Sequence, residues 1–201
     1  MNQNELVMSR GRGLAGVVAL AVACATAAAV FGTGAGTAVA RSGRAARAVT
    51  TVNVERALGG NIAYVRAEDH GIAVLLPTTL RLEDPRKSAS AVVHDGYRLE
   101  LDYSEPCDGA NVCTAAEFTA ERGTSRAYGK AVALADGIHG AYSGIQCGAS
   151  CSPATIQWRE KGVLYSISAT LGVELVAQPN PGAVRGAFVA AADQAITAGP
   201  R

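Results

Sequence analysis

The sequence predicts an α+β domain: an antiparallel sheet of about five to seven strands, packed by a C-terminal helix and by one further helix near the domain's start. Three observations point there. The stretches "SAVVHDGYRLELDY" and "ATIQWREKGVLYSISATL" each alternate apolar and polar residues on both sides of a turn dipeptide. The closing stretch, "NPGAVRGAFVAAADQAITAGP", repeats apolar residues every three or four positions instead. Finally, strand-period and helix-period patterns fall in separate parts of the 201-residue chain, which separates helix and sheet into layers.

The chain opens on an export pattern. Arg10 and Arg12 precede an uncharged Ala/Val/Gly-rich run from Leu14 to Phe31, and "TAVA" follows with small residues at Ala38 and Ala40. Residues 1–40 therefore read as a signal peptide cut after Ala40. The 18-residue run also reaches the lower edge of membrane-spanning length, which leaves an uncleaved anchor as an alternative. A lipoprotein box ending at Cys24 is another, with Ala21 where a Leu is usual. Each reading places the rest of the chain outside the cytoplasm, periplasmic or extracellular. Residues 41–50, with three Arg and little that could pack, read as a flexible spacer, and 51–201 as one domain.

Along that domain, Val54, Leu58, Ile62 and Val65 fall at helical spacing, with Thr50 or Asn53 as the cap and Gly59-Gly60 weakening the middle. This helix should end near His70-Gly71, and "IAVLLP" should then enter the sheet, with Pro77 stopping it. After a polar stretch from Arg81 to Ser88, the Asp95-Gly96 turn leads a strand on which Tyr97, Leu99, Leu101 and Tyr103 share one face. Arg98, Glu100 and Asp102 share the other, which is expected to be wet. "AAEFTAERG" and "GAYSGIQC" read as further strands. In the second hairpin Ile156 and Trp158 alternate with Thr155, Gln157 and Arg159; Lys161-Gly162 turns the chain, and Val163, Tyr165, Ile167, Ala169 and Leu171 return on one face. For the last helix, Asn180 is the cap, Pro181 the first helical residue and Gly199-Pro200 the stop. Val184, Phe188, Ala191, Ala192 and Ala195 form its apolar stripe, suited to lying on a sheet.

Beyond Cys24 there are four cysteines: Cys107, Cys113, Cys147 and Cys151. An even count in an exported chain reads as two disulfides. Three connectivities are open. The favoured one is local, Cys107–Cys113 and Cys147–Cys151, because "CDGANVC" and "CGASC" carry Gly and small residues that let the chain double back. A four-thiolate zinc site would want paired spacings of about two to four residues, and an oxidising compartment opposes free thiolates. A thiol oxidoreductase would want Cys-x-x-Cys opening a helix.

Reactive constellations are scarce. Ser143 and Ser150 lack a nucleophile elbow; His94-Asp95 falls in a turn; Glu68, Asp69 and His70 form the densest polar cluster; Asp136 and His139 flank another turn. The three His are too few for a His-rich metal site, and no phosphate-cradling Gly loop is present. No catalytic, metal or cofactor site is assigned, and no cofactor is expected. With a formal charge of +1 there is no global field to steer nucleic acid.

The run "IQCGASCSPATIQWREKGVLYSI" followed by a terminal amphipathic helix, together with "LLP" at Leu75–Pro77, resembles small exported bacterial domains of unknown function. The resemblance implies that Trp158, Gly162 and Tyr165 form a structural hairpin, with Trp and Tyr packed under the helix. It transfers no catalytic residue. The expectation that follows is an exported, non-enzymatic binding or interaction module of the cell envelope, stabilised by disulfides. Its partner would be an envelope protein or wall component, not nucleic acid, with membrane contact only through an N-terminal anchor. Alternatives are a carrier holding an apolar ligand between sheet and helix, and a hydrolase using Asp69, His70 and His139.

Overall fold

A computed structural model describes residues 49–68, 71–83, 87–93, 95–103, 113–123, 125–170 and 180–201. The expected signal peptide and most of the spacer lie outside them, as do Asp69, His70, His94, Cys107 and Leu171.

Eleven strands are described: β1 (Val49–Asn53), β2 (Thr79–Glu83), β3 (Lys87–Val93), β4 (Gly96–Asp102), β5 (Thr114–Arg122), β6 (Lys130–Ala133), β7 (His139–Ser143), β8 (Gln146–Cys147), β9 (Cys151–Ser152), β10 (Ala154–Glu160) and β11 (Val163–Ala169). The helices are α1 (Val54–Leu58), α2 (Gly60–Glu68) and α3 (Pro181–Ala198). Seven strands make the main sheet in the order β3-β4-β5-β11-β10-β7-β6, every pairing antiparallel. β1 pairs with β2, and β8 with β9, as separate ribbons. The architecture is thus the expected α+β layer, at the upper end of the expected strand number.

Both hairpins form where the turn dipeptides stand. At the β10–β11 turn Lys161 and Gly162 both take positive φ, 50° and 81°, the geometry that suits a two-residue turn to the strand twist. The other turn works differently. Asp95 takes the positive φ, while Gly96 is already the first residue of β4. There glycine is needed because a Cβ would collide with the carbonyl oxygen of Ala120 on the neighbouring β5.

One face of the sheet carries Leu99, Leu101, Phe118, Ile156, Trp158 and Ile167, all buried, and the helices lie over it. Asn180 caps α3 by accepting hydrogen bonds from the amides of Gly182 and Ala183, at 3.0 and 3.4 Å. The predicted stripe of α3 is buried, and Ile196 joins it. Phe188 meets Tyr142 at 5.6 Å between ring centroids, and Trp158 lies near-parallel to its cross-strand partner Tyr165 at 5.6 Å.

Four readings are corrected. The N-terminal helix is two pieces, because Gly59 takes φ 53° and breaks it; Asn53, not Thr50, is the cap, accepting from the amide of Arg56 at 2.8 Å. The "IAVLLP" segment is buried but joins no strand of the main sheet. Leu75 forms an isolated bridge with Pro200, and the amide of Arg201 donates to the carbonyl of Val74 at 3.0 Å. The polar stretch after residue 80 contributes to β2, whose partner β1 takes in the last two residues of the expected spacer. Lastly, the second face of β4 is wet at Arg98 alone: Glu100 and Asp102 are 7% and 5% exposed. β4 is flanked on both sides by β3 and β5, and Arg98 and Glu117 crowd over Glu100.

Candidate functional site: the polar face of the sheet

After β5 the chain must travel from the third position in the sheet to the seventh, past β11, β10 and β7. Four strand spacings of about 4.8 Å amount to about 19 Å, and the eight steps from Arg122 to Lys130 reach at most about 26 Å. The connection therefore has to cross one face of the sheet, as a strap. Side chains of β10 hold it there. The Arg159 guanidinium donates to the carbonyls of Gly123 and Ser125, both at 2.6 Å, and to Gly162 at 2.9 Å; the amide of Tyr128 donates to Gln157 Oε1 at 3.0 Å. Gln157 and Arg159 alternate with Trp158, so the strap crosses the face opposite the helices.

Between the strap and the strands lie two adjoining grooves of about 230 and 300 Å³, both lined by Glu117, Tyr128, Thr155 and Ser168. Around them the lining is hydroxyl- and amide-rich, with Thr119, Ser166 and Gln157 on one side and Thr114, Ser152 and Thr170 at the end. The hydroxyls of Thr155 and Ser168 are 3.0 Å apart across β10 and β11. Tyr128 is 55% exposed at the edge.

At the β4–β5 side stands a carboxyl pair. Glu100 and Glu117 are direct cross-strand partners, and Arg98 Nε lies 3.3 Å from Glu117 and 3.8 Å from Glu100. Burial pushes the Glu100 carboxyl up from its ordinary range, and the neighbouring Glu117 and Asp102 carboxyls add to this; Arg98 opposes it, and a hydrogen bond with Glu117 favours the protonated form. Asp102 is raised mainly by burial, against a hydrogen bond with Thr114 that lowers it. One oxygen of Asp102 is buried without a hydrogen-bond partner.

The cysteines frame one end of this face. Cys147 and Cys151 are bonded to each other, directly paired across the β8–β9 ribbon with Cα atoms 4.0 Å apart, and the tip is exposed. Cys113 is also in a disulfide; Cys107, its expected partner, lies outside the described residues. Cys113 leads directly into Thr114 and Cys151 into Ser152, both lining the groove. The staples therefore sit at the groove's end.

Of the residues proposed for a hydrolase, His139 begins β7 exposed, while Asp69 and His70 lie outside the described residues; Asp136, which flanks the same turn as His139, is exposed at φ 56°. Ser143 is buried and accepts a hydrogen bond from Gln146 Nε2 at 2.9 Å, while Ser150 sits at the exposed ribbon tip. Trp158, Tyr165 and Phe188 fill the layer between sheet and α3, the space an apolar cargo would occupy. Sequence reasoning missed the strap, its anchor Arg159 and the Glu100–Glu117 pair. The usable signal is alternation itself: Glu117 and Thr119 stand two apart in β5 and so share one strand face.

No family model, no curated protein and no solved structure matches this chain.

Proposed function

We propose that this is an exported, non-enzymatic binding module of the cell envelope, and that it engages its ligand on the strapped polar face of the sheet. The observation that carries the reading is the asymmetry of the sheet. One face is filled by side chains and helices, whereas the other keeps open grooves of about 230 and 300 Å³ lined by hydroxyl, amide and carboxyl groups. Convergent polar groups in a concave site are what fixes a ligand's orientation.

The chemistry of the face favours binding over hydrolysis. The carboxyl pair is hydrogen-bonded, closer than the ~5–5.5 Å or ~6.5–9.5 Å at which glycosidase carboxyls work. The paired sulfurs of Cys147 and Cys151 suit an oxidising compartment, in keeping with the export pattern of residues 1–40. Among the described residues no helix is long and apolar enough to cross a membrane.

The test fills the groove. Ser166→Trp places a large ring in it from β11. Isotope-labelled wild type and variant would each be titrated with a solubilised envelope fraction. Line broadening of amides in β5, β10, β11 and the strap, absent in the variant, is expected. Broadening that is equal in both, or confined to the helix side, would overturn the reading. Intact mass of the exported protein tests the compartment: cleavage after Ala40 with no alkylatable thiol is expected.

A further inference from the structure

Resting on that reading, we infer that the ligand is a neutral saccharide, one unit of which seats in the groove beneath Tyr128. Protein partners are held by buried apolar and aromatic anchors, whereas the aliphatic lining among the described residues is only Ala115, Ala120, Pro153 and Ala169, with Tyr97 already closed at 1% exposure and Tyr128 left as the exposed ring. A nucleic acid would need phosphate-neutralising bases, yet Glu117 and Glu121 line the groove and Arg98 is already ion-paired to Glu117. An apolar lipid chain would desolvate the Glu117 and Glu121 carboxyls and the Thr119 and Ser166 hydroxyls of the lining without offering them a hydrogen bond.

What the lining offers is hydroxyls. Ser and Thr hydroxyls both donate and accept, as sugar hydroxyls do, so each contact can take whichever polarity the ligand presents. Thr155 and Ser168 already bond to each other at 3.0 Å, with Thr119 and Ser166, themselves direct cross-strand partners, beside them. Such cross-strand positions repeat at about 4.5–5.5 Å, giving a ladder of donors and acceptors along the groove. The Glu117 carboxylate and Arg98 guanidinium supply one acceptor and one donor of charged strength at its β4–β5 side. Tyr128 adds an exposed aromatic surface at the rim, suited to the C–H face of a sugar ring.

Size limits the occupant. About 230–300 Å³ lies at or below the small end of the ~300–1,000 Å³ of small-molecule sites, so the groove seats one unit of a chain and leaves its neighbours outside. The disulfides at the groove's end fix Thr114 and Ser152 in place, so the site is largely formed before the ligand arrives.

The experiment titrates the disulfide-intact exported protein with cellopentaose, xylopentaose, mannopentaose and N-acetylchitopentaose, with the de-N-acetylated chitopentaose and pentalysine as cationic controls. Amide shifts are read by NMR and affinity by calorimetry. A neutral oligosaccharide is expected to give saturable shifts in β5, β10, β11 and the strap. Its affinity should change less than twofold between 50 and about 300 mM salt, because no ion is released on binding. Tyr128→Ala should weaken that affinity at least tenfold without moving the melting temperature, and Ser166→Trp should abolish it. Binding of the cationic probes alone, falling steeply with salt, would show that the carboxyls read a charge and would overturn the saccharide. So would the absence of any binding by the neutral oligosaccharides at 5 mM, in which case a groove-dependent signal from the envelope fraction would still leave the binding-module reading standing.

Discussion

The two faces of the main sheet are made by the same strands, the same alternation and nearly the same burial, yet they are built on different terms. On the helix side Trp158, Phe118, Phe188 and Leu99 are closed against one another with at most 1% exposure. On the strap side Glu100, Asp102, Ser143, Thr155 and Gln157 are all below 10% exposure as well, but their surroundings are polar: Arg98 and Glu117 stand beside Glu100 on the β4–β5 side, and Gln157 and Arg159 hold the strap over β10. Burial on the first side is stabilised by removing apolar surface from water. On the second it carries a desolvation cost that hydrogen bonds only partly offset, as the raised Glu100 and Asp102 and the unpartnered Asp102 oxygen record. A domain that could afford a second apolar layer there has instead kept a polar one, which is the physical ground for placing function on that side.

If the faces differ as described, truncation should cost stability on one and binding on the other. The largest effect is expected from Trp158→Ala: about 3–5 kcal/mol, the range for emptying a large aromatic from a core. For a chain of this size that is a melting shift of about 6–20 °C at about 2–4 °C per kcal/mol. Trp158→Phe should cost much less, because the buried indole Nε1 has no hydrogen-bond partner and its removal relieves an unsatisfied donor. Urea denaturation at constant m-value measures both. On the strap side, Ser166→Ala should stay within about 0.5 kcal/mol of wild type. A comparable loss there would mean that the polar face is also structural core.

The staple at the groove's end should rank next. Closing a five-residue loop, Cys147 to Cys151, is worth about 2 kcal/mol on the chain-entropy estimate. Replacing both cysteines by Ser should therefore lower stability modestly while loosening Gln146 and Ser152 of the ribbon more than any helix residue, which hydrogen exchange would resolve. A loss spread evenly over the domain would contradict a local staple. Below this comes the α3 cap. Asn180→Ala leaves the Gly182 and Ala183 amides without their side-chain acceptor and should cost about 1 kcal/mol, read as a shifted denaturation midpoint with binding unaffected.

How much of this was legible follows from the range of each interaction. Hairpins, caps and the α3 stripe are written within a few residues of one another, so Lys161-Gly162, Asn180 and Phe188 could be placed from local pattern. The strap is not local: Arg159 reaches Gly123 and Ser125 across 36 and 34 residues, and Gln157 reaches Tyr128 across 29. Alternation correctly put Glu100 and Asp102 opposite Leu99 and Leu101, but it cannot say whether the second face meets water or chain. That depends on which side chains of the neighbouring strands close around the carboxyls, here Glu117 of β5 with Arg98, and no periodicity encodes that. Likewise Arg201, ion-paired to Glu55 at 3.9 Å and donating to the Leu76 carbonyl at 3.4 Å, gave no signal as a closing residue.

The smallest expected effect is also the one that reads the polar face most directly. Glu100 has an ordinary value of 4.5 and is raised in the folded protein, so between those two values the native state holds a proton that the unfolded chain has released. Below 4.5 both states are protonated and the group contributes nothing; as pH rises through the raised value, the cost of burying its charge appears in full. Acidifying from neutrality toward pH 4.5 should therefore stabilise the wild type at this site. Glu100→Gln removes the charge while keeping a donor for the hydrogen bond to Glu117, so the variant should be the more stable protein at pH 7, and its advantage should shrink toward zero as the pH falls to 4.5. Paired thermal melts across that range isolate Glu100 together with the carboxyls coupled to it, Glu117 and Asp102, since more distant titrations cancel in the difference. An advantage independent of pH would mean that Glu100 carries no buried charge. A variant less stable at pH 7 would mean that Arg98 and the charged carboxylate form a stabilising pair, and that the strap face is held together by ions rather than merely tolerating them.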